Sequence, residues 1–176
     1  GKGSRLALGY DTRPGAEQLA GVCASGMDSE DVQVLNLGMV PSPILSQQIA
    51  RCRLHGGLMV TGSHLSYDRI GLITLDSDGT ILSHEKTAQV EELARQIEPP
   101  TDDLKGALPR ADVGWMPAYL EFVQCTVDGD EFARKRVSIA LDPAGGTGAQ
   151  VISTLLSDLG CRVIAINDER MKVAPR

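Results

Sequence analysis

Short apolar runs alternate along the chain with segments whose apolar residues recur every three or four positions, the two periods that mark strands and helices. Arg5 to Tyr10 reads as a strand, and Ala16, Leu19, Cys23 and Met27 form one face of the helix after it. Val32 to Leu37 predicts a second strand. Pro41 and Pro43 end it, and Ile44, Leu45, Ile49 and Cys52 then fall at helical spacing, with Pro43 pre-set for a first turn. Gly57 to Thr61 predicts a third strand and Ile70 to Leu75 a fourth, which Asp76-Ser77-Asp78-Gly79 turns back toward Thr80-Ile81-Leu82 as a hairpin. Ser83 is placed to cap a helix over 84–98, where Val90, Leu93, Ala94 and Ile97 share a face and Pro99-Pro100 imposes a stop.

Residues 99–116 mix Pro, Gly, Asp and Lys without period and read as a surface connector, which Trp115 and Met116 pin to a domain face. Pro117 to about Cys125 reads as a helix. Val137 to Leu141, the stripe Val151, Ile152, Leu155, Leu156 and Leu159 closed by Gly160, and Cys161 to Ile166 then make one β-α-β unit. The pattern is that of an α/β chain with a first unit over 1–98, a connector over 99–116 and the beginning of a second unit over 117–176. One β-α-β unit leaves sheet edges bare, so the second unit is expected to be unfinished at Arg176 and the chain to be part of something longer.

Composition narrows the function. The 176 residues carry 17 Lys plus Arg against 23 Asp plus Glu, a formal charge of -6, and no five-residue stretch is basic enough to neutralise a row of phosphates, which argues against nucleic acid as a partner. Apolar runs fall far short of the roughly 20 residues of a spanning helix, so no membrane span is expected. Cys23, Cys52, Cys125 and Cys161 are widely spaced and suit neither a zinc site nor a disulfide scaffold; a reducing cytoplasm is the expected home.

The loop after the third strand, Thr61-Gly62-Ser63-His64-Leu65-Ser66-Tyr67-Asp68-Arg69, is where chemistry concentrates. Loops leaving the carboxyl ends of strands form the ligand crevice of an α/β sheet, and Gly62 lets the backbone turn so that Ser63 projects outward toward a phosphate. Turn chemistry alone explains the same residues. His64 is either a base or a loop histidine bonded to backbone, and Arg13 either a solvated charge or a partner of Asp11.

Three strings, Leu8-Gly9-Tyr10-Asp11-Thr12-Arg13-Pro14, Leu37-Gly38-Met39-Val40-Pro41-Ser42-Pro43 and Thr61-Gly62-Ser63-His64, resemble in order and spacing the successive signatures of the α-D-phosphohexomutases, the phosphomannomutase and phosphoglucomutase family. Tyr119-Leu120-Glu121 and Ile139-Ala140-Leu141-Asp142-Pro143-Ala144-Gly145-Gly146 resemble the opening of that family's second domain. The resemblance implies a three-layer α/β/α first domain with a mixed sheet, residues 1–98, lacking the family's opening glycine-rich strand; Gly1 to Ser4 stand in its place. It implies that Ser63 carries a phosphoryl group to a hexose phosphate and recovers it, with His64 beside it and Arg13, Thr61 and Gly62 supporting the phosphate loop. A serine phosphate carries about -1.5 to -2 charge, and the resemblance accordingly implies magnesium, whose ligands are not present in this chain.

The departures are specific. Leu65-Ser66 stand where the family has Asn-Pro, and Ile70-Gly71-Leu72-Ile73 where it has Asn-Gly-Ile-Lys. Ile73 can neither move a proton nor offer charge. Asp128-Gly129-Asp130-Glu131 imitates only part of the family's magnesium loop and reads as a solvated acidic turn, so no metal ligands are assigned. Asp142 to Gly148 lacks the spacing of a dinucleotide loop. A second expectation therefore stands beside the mutase: a shortened, catalytically degenerate relative acting as a binding module. Self-association, or a partner supplying the missing domains, is expected from apolar faces left uncovered.

Overall fold

The computed structural model describes residues 3–66, 68–98 and 106–168. Along them run β1 (Arg5–Tyr10), α1 (Ala16–Ser29), β2 (Gln33–Met39), α2 (Ser42–Arg51), β3 (Gly56–Thr61), β4 (Gly71–Leu75), α3 (His84–Arg95), α4 (Trp115–Gln124), α5 (Gly129–Lys135), β5 (Ser138–Leu141), α6 (Ala149–Asp158) and β6 (Arg162–Ala165). Four strands bond in the order β2-β1-β3-β4, parallel except for the antiparallel β3–β4 pair. Alternate residues point to opposite faces of a strand. Leu8, Tyr10, Leu58 and Val60 thus pack with α1 on one face, and Ala7 and Met59 with α2 on the other. The result is the expected three-layer α/β/α arrangement around a mixed sheet.

The two helical layers differ in how they meet the sheet. In α2, Ile44, Leu45 and Ile49 are fully buried, each contributing about 1.5–3 kcal/mol of apolar burial. In α1 the buried residues are Ala16, Ala20, Gly21 and Ala24, whereas Leu19, Cys23 and Met27 only flank the core. The expected stripe is rotated by about one residue. Small residues at the contact let the helix axis approach the strands, and the longer side chains cover its sides.

Beyond β4 the hairpin shrinks to one bridge, Leu75 to Ile81. Ser83 caps α3 by accepting the Lys86 N–H at 3.3 Å, and the Lys86 ammonium binds the Asp76 carboxylate. Helix α3 stops at Arg95, short of the expected 98, and among the described residues nothing covers its apolar stripe: Val90, Leu93 and, just beyond the helix, Ile97 are exposed. Helical spacing made the helix without supplying a surface to cover it. Pro99-Pro100, the connector as far as Lys105, Tyr67, Gly1, Lys2 and the chain after Asp168 lie outside the described residues.

From Gly106 onward the connector is strapped to the first unit. Asn36 Nδ2 donates to the Pro109 carbonyl at 2.7 Å, the Asp112 N–H donates to the Asn36 carbonyl at 2.8 Å, and Trp115 Nε1 donates to the Leu37 carbonyl at 3.1 Å. Helix α4 begins at Trp115, two residues earlier than the pattern suggests. Pro117 sits in its first turn, where a missing N–H costs nothing. One apolar cluster runs from Ala7, Leu37 and Ile49 through Leu120 to Val151, so the β5-α6-β6 unit shares packing with the first sheet through α4. Strands β5 and β6 pair in parallel as a two-stranded sheet. Helix α5 has no counterpart in the sequence pattern; Asp128 caps it by accepting the Glu131 N–H at 3.0 Å, so the acidic turn is a helix start. No helix among the described residues is long and apolar enough to cross a membrane.

Candidate functional site

The strand order β2-β1-β3 reverses direction at β1, and ligand crevices in open α/β sheets form at such a point, outside the carboxyl ends of the strands. The loops that leave β1 and β3 meet there. β1 ends at Tyr10, opposite Val60 of β3, and the Asp11 N–H still bonds the Val60 carbonyl at 3.0 Å. This places Asp11, Thr12 and Arg13 beside Thr61, Gly62 and Ser63.

Arg13 is almost wholly enclosed, with 6% of its side chain exposed. Its Nη1 donates to the Ser66 carbonyl at 2.5 Å and the Arg69 carbonyl at 2.9 Å; its Nη2 donates to the Ser63 and Leu65 carbonyls, both at 2.9 Å. Its Nε donates to Asp11 Oδ2 at 3.2 Å. A guanidinium has five N–H groups in a fixed planar fork, and all five are engaged. Arg13 is therefore neither a solvated charge nor a free anion receptor. It gathers four carbonyls of the 63–69 loop around itself and is balanced by Asp11. Gly62 makes that possible, since a Cβ there would overlap the guanidinium.

Ser63 stands exposed at the bend with φ +48°, in the left-handed region that non-glycine residues enter at a cost. Its N–H donates to Thr61 Oγ1 at 3.0 Å, and the Leu65 N–H donates to the Gly62 carbonyl at 2.8 Å. His64 is also exposed, with Nδ1 3.4 Å from Ser63 Oγ, longer than a full-strength hydroxyl hydrogen bond. A catalytic bond is often long before substrate binds, so this spacing remains compatible with proton transfer. Thus Ser63, His64, Arg13, Thr61 and Gly62 all converge on one loop, with the hydroxyl and imidazole outward and the guanidinium inward.

A cleft of about 1300 Å³ opens beside Ser63, between α2, β4 and α4, with Met59, Ile73, Leu75 and Phe122 on its apolar walls. Ile73 is half-buried against the core, so this position gives the cleft a hydrocarbon surface. Leu65 and Ser66 engage Arg13 through their carbonyls alone, while Ser66 Oγ donates to Asp68 Oδ1 at 2.6 Å. The magnesium implied by the resemblance finds no fit: among the described residues, no three His, Cys, Asp or Glu side chains converge to hold a metal ion.

One organising role escapes sequence reasoning, which offers Asp11 only as a partner of Arg13. Asp11 receives Arg13 N–H at 2.9 Å on Oδ1, and on Oδ2 the Thr61 hydroxyl at 2.7 Å and the Gly62 N–H at 3.2 Å as well as Arg13 Nε. The available signal is an Asp two residues before an Arg just past a strand end, the spacing of an Asx turn.

The chain resembles known proteins along nearly its whole length. The family model described as phosphoglucomutase/phosphomannomutase, alpha/beta/alpha domain I, matches residues 1–101. The chain is 28% identical over 164 residues to a phosphoglucomutase/phosphomannomutase of Thermococcus kodakarensis, covering 92% of this chain and 36% of that protein. It is 31% identical over 169 residues to a phosphoglucosamine mutase of Allorhizobium ampelinum, covering 94% of this chain and 37% of the relative. Among solved structures, a Thermus thermophilus protein assigned to the phosphomannomutases superposes with a TM-score of 0.81 at 25% identity, over 97% of this chain and 39% of that one. The chain thus spans little more than a third of the length of the curated relatives it matches.

Proposed function

The chain belongs to the phosphoglucomutase/phosphomannomutase family, and from that premise we propose that it is the catalytic-serine portion of a phosphosugar mutase, with Ser63 as the phosphoryl carrier. The observation that carries this reading is the pairing of an exposed Ser63 hydroxyl, on a left-handed bend at the end of β3, with a buried Arg13 that fastens the loop from beneath.

In this proposal a hydroxyl of a hexose phosphate attacks the phosphorus on Ser63, the bond from phosphorus to Oγ breaks, and the resulting bisphosphate turns over. Ser63 Oγ then attacks the other phosphate, the bond from that phosphorus to the sugar oxygen breaks, the freed oxygen takes back the proton, and the serine is recharged. Positioning supplies much of such a reaction, because phosphoryl transfer asks little covalent work of the protein. Arg13, Thr61 and Gly62 do that positioning here. His64, the titratable side chain beside Oγ, takes the proton released by the attacking hydroxyl. Ile73 supplies none of the charge that the family's lysine offers. Magnesium, and the remaining groups that recognise the sugar, come in this proposal from polypeptide other than these residues, and no step above is routed through the metal. A hydroxyl presented on a fastened bend suits phosphoryl carriage better than a degenerate binding module, whose ligand would need no such exposed nucleophile.

The test is incubation with glucose 1,6-bisphosphate and magnesium, with the chain joined to the polypeptide that supplies the metal and sugar groups, followed by intact mass measurement. An added phosphate of about 80 Da that disappears in Ser63→Ala supports the proposal; an unmodified wild-type mass counts against it.

A further inference from the structure

We infer that Asp11 is the positioning residue that sets the orientation of the Ser63 hydroxyl, an inference that rests on the phosphoryl-carrier reading for its functional meaning but not for its geometry. Ser63 is held at both of its peptide groups: its N–H by Thr61 Oγ1 at 3.0 Å and its carbonyl by Arg13 Nη2 at 2.9 Å. Asp11 governs both holders. A carboxylate only accepts, so the Thr61 hydroxyl, 2.7 Å from Asp11 Oδ2, must spend its proton there. The lone pairs of Thr61 Oγ1 are then turned toward the Ser63 N–H. The direction of the whole relay follows from the charge at its far end.

The same carboxylate orients Arg13 through Nε at 3.2 Å and through the backbone N–H at 2.9 Å, which aims the fork at the loop carbonyls. Asp11 is largely shielded, with 17% of its side chain exposed, and it also receives the Gly62 N–H at 3.2 Å. Removing the negative charge frees the Thr61 hydroxyl to rotate and become a donor, unseats the guanidinium, and lets Ser63 relax from φ +48° into the broad allowed regions, carrying Oγ away.

Asp11→Asn puts an amide N–H₂ among three donors, and Thr61→Val removes the relay hydroxyl with little change of shape, so it remains informative where the first variant folds poorly. Thr61→Ser keeps the hydroxyl. Amide hydrogen exchange of Ser63 is measured against that of Leu8 and Val60 in the sheet, alongside the rate of phosphoryl uptake from glucose 1,6-bisphosphate with magnesium. The expected result is exchange at Ser63 faster by about tenfold or more in Asp11→Asn and Thr61→Val with the sheet amides unchanged, a parallel fall in uptake, and recovery of both in Thr61→Ser relative to Thr61→Val. Unchanged Ser63 exchange in both variants, equal acceleration throughout the sheet, or a Thr61→Ser that behaves like Thr61→Val overturns the inference. A wild-type chain that takes up no phosphate when joined to the polypeptide supplying the metal and sugar groups, while the exchange pattern holds, overturns the carrier reading and leaves the positioning role supported.

Discussion

Arg13 Nη2 donates to the carbonyl oxygen of Ser63 at 2.9 Å, across 50 positions of sequence. The cation behind the serine therefore holds its backbone rather than reaching past it to the solvent side. Charge for a phosphoryl group has to arrive from the open side of the loop, and Arg13 has no spare N–H to offer it.

Replacing Arg13 separates its charge from its shape. Arg13→Lys retains a cation but cannot span four carbonyls from one planar fork. It is expected to lower stability by about 2–4 kcal/mol and phosphoryl uptake by at least about tenfold, with Arg13→Ala more severe because Asp11 is left shielded and unpaired. Urea melts together with protease cleavage within residues 63–69 check this; a lysine variant matching wild type in both removes the staple argument.

Gly62→Ala is expected to act at the same place from the other side. The added Cβ overlaps a guanidinium that five hydrogen bonds hold in place, so displacement is not free and should cost about 1–3 kcal/mol. A second-site Arg13→Ala should relieve the clash, making the two effects less than additive, which a double-mutant cycle measures.

Ile73 shares a cleft with Ser63. Ile73→Lys places an ammonium on that wall with a stem long enough to keep the charge wet. The expected outcome is faster phosphoryl uptake by Ser63 together with a loss of about 1–2 kcal/mol from core contacts. Quench-flow mass measurement on the variant decides it; an unchanged or slower rate shows that Ile73 is not what limits the loop.

Alkaline pH should weaken the layer between α1 and the sheet. Burial raises the Cys23 thiol above its ordinary 9.0, and burial, then the charge and hydrogen bond of Glu17, raises Tyr10 above 10.0. Both groups are neutral when protonated, so the fold favours the protonated form. Their contribution is complete below the ordinary values and declines as pH climbs through the raised ones. Urea midpoints should fall from about pH 9 upward, and Cys23→Ala should flatten the first part of that fall; a midpoint constant to about pH 11 contradicts the assignment.

Strands β1 and β3 were legible because they are covered on both faces and their apolar residues run nearly unbroken. The loop after β3 was legible because Gly and Ser at a strand end leave few alternatives. Other features were hidden for physical reasons. Alanine contributes little to a hydrophobic stripe, so Leu19, Cys23 and Met27 outweigh Ala20 and Ala24 in setting the face of α1. Helix α5 has only seven residues, too few for a period to emerge, and its Asp128-to-Glu131 capping signal reads equally as a turn. Asp11 looks ordinary because its importance comes from Thr61 and Gly62, 50 and 51 positions away.

The carbonyls that Arg13 collects belong to every amino acid alike. The contour of the 63–69 loop is thus encoded mostly upstream, at Asp11 and Arg13, and Leu65, Ser66 and Arg69 can drift in identity without moving the bend. A loop transplanted from a relative, side chains and all, should settle into the same curve on this cradle, whereas the native loop moved onto a protein lacking an arginine beneath it should lose its shape.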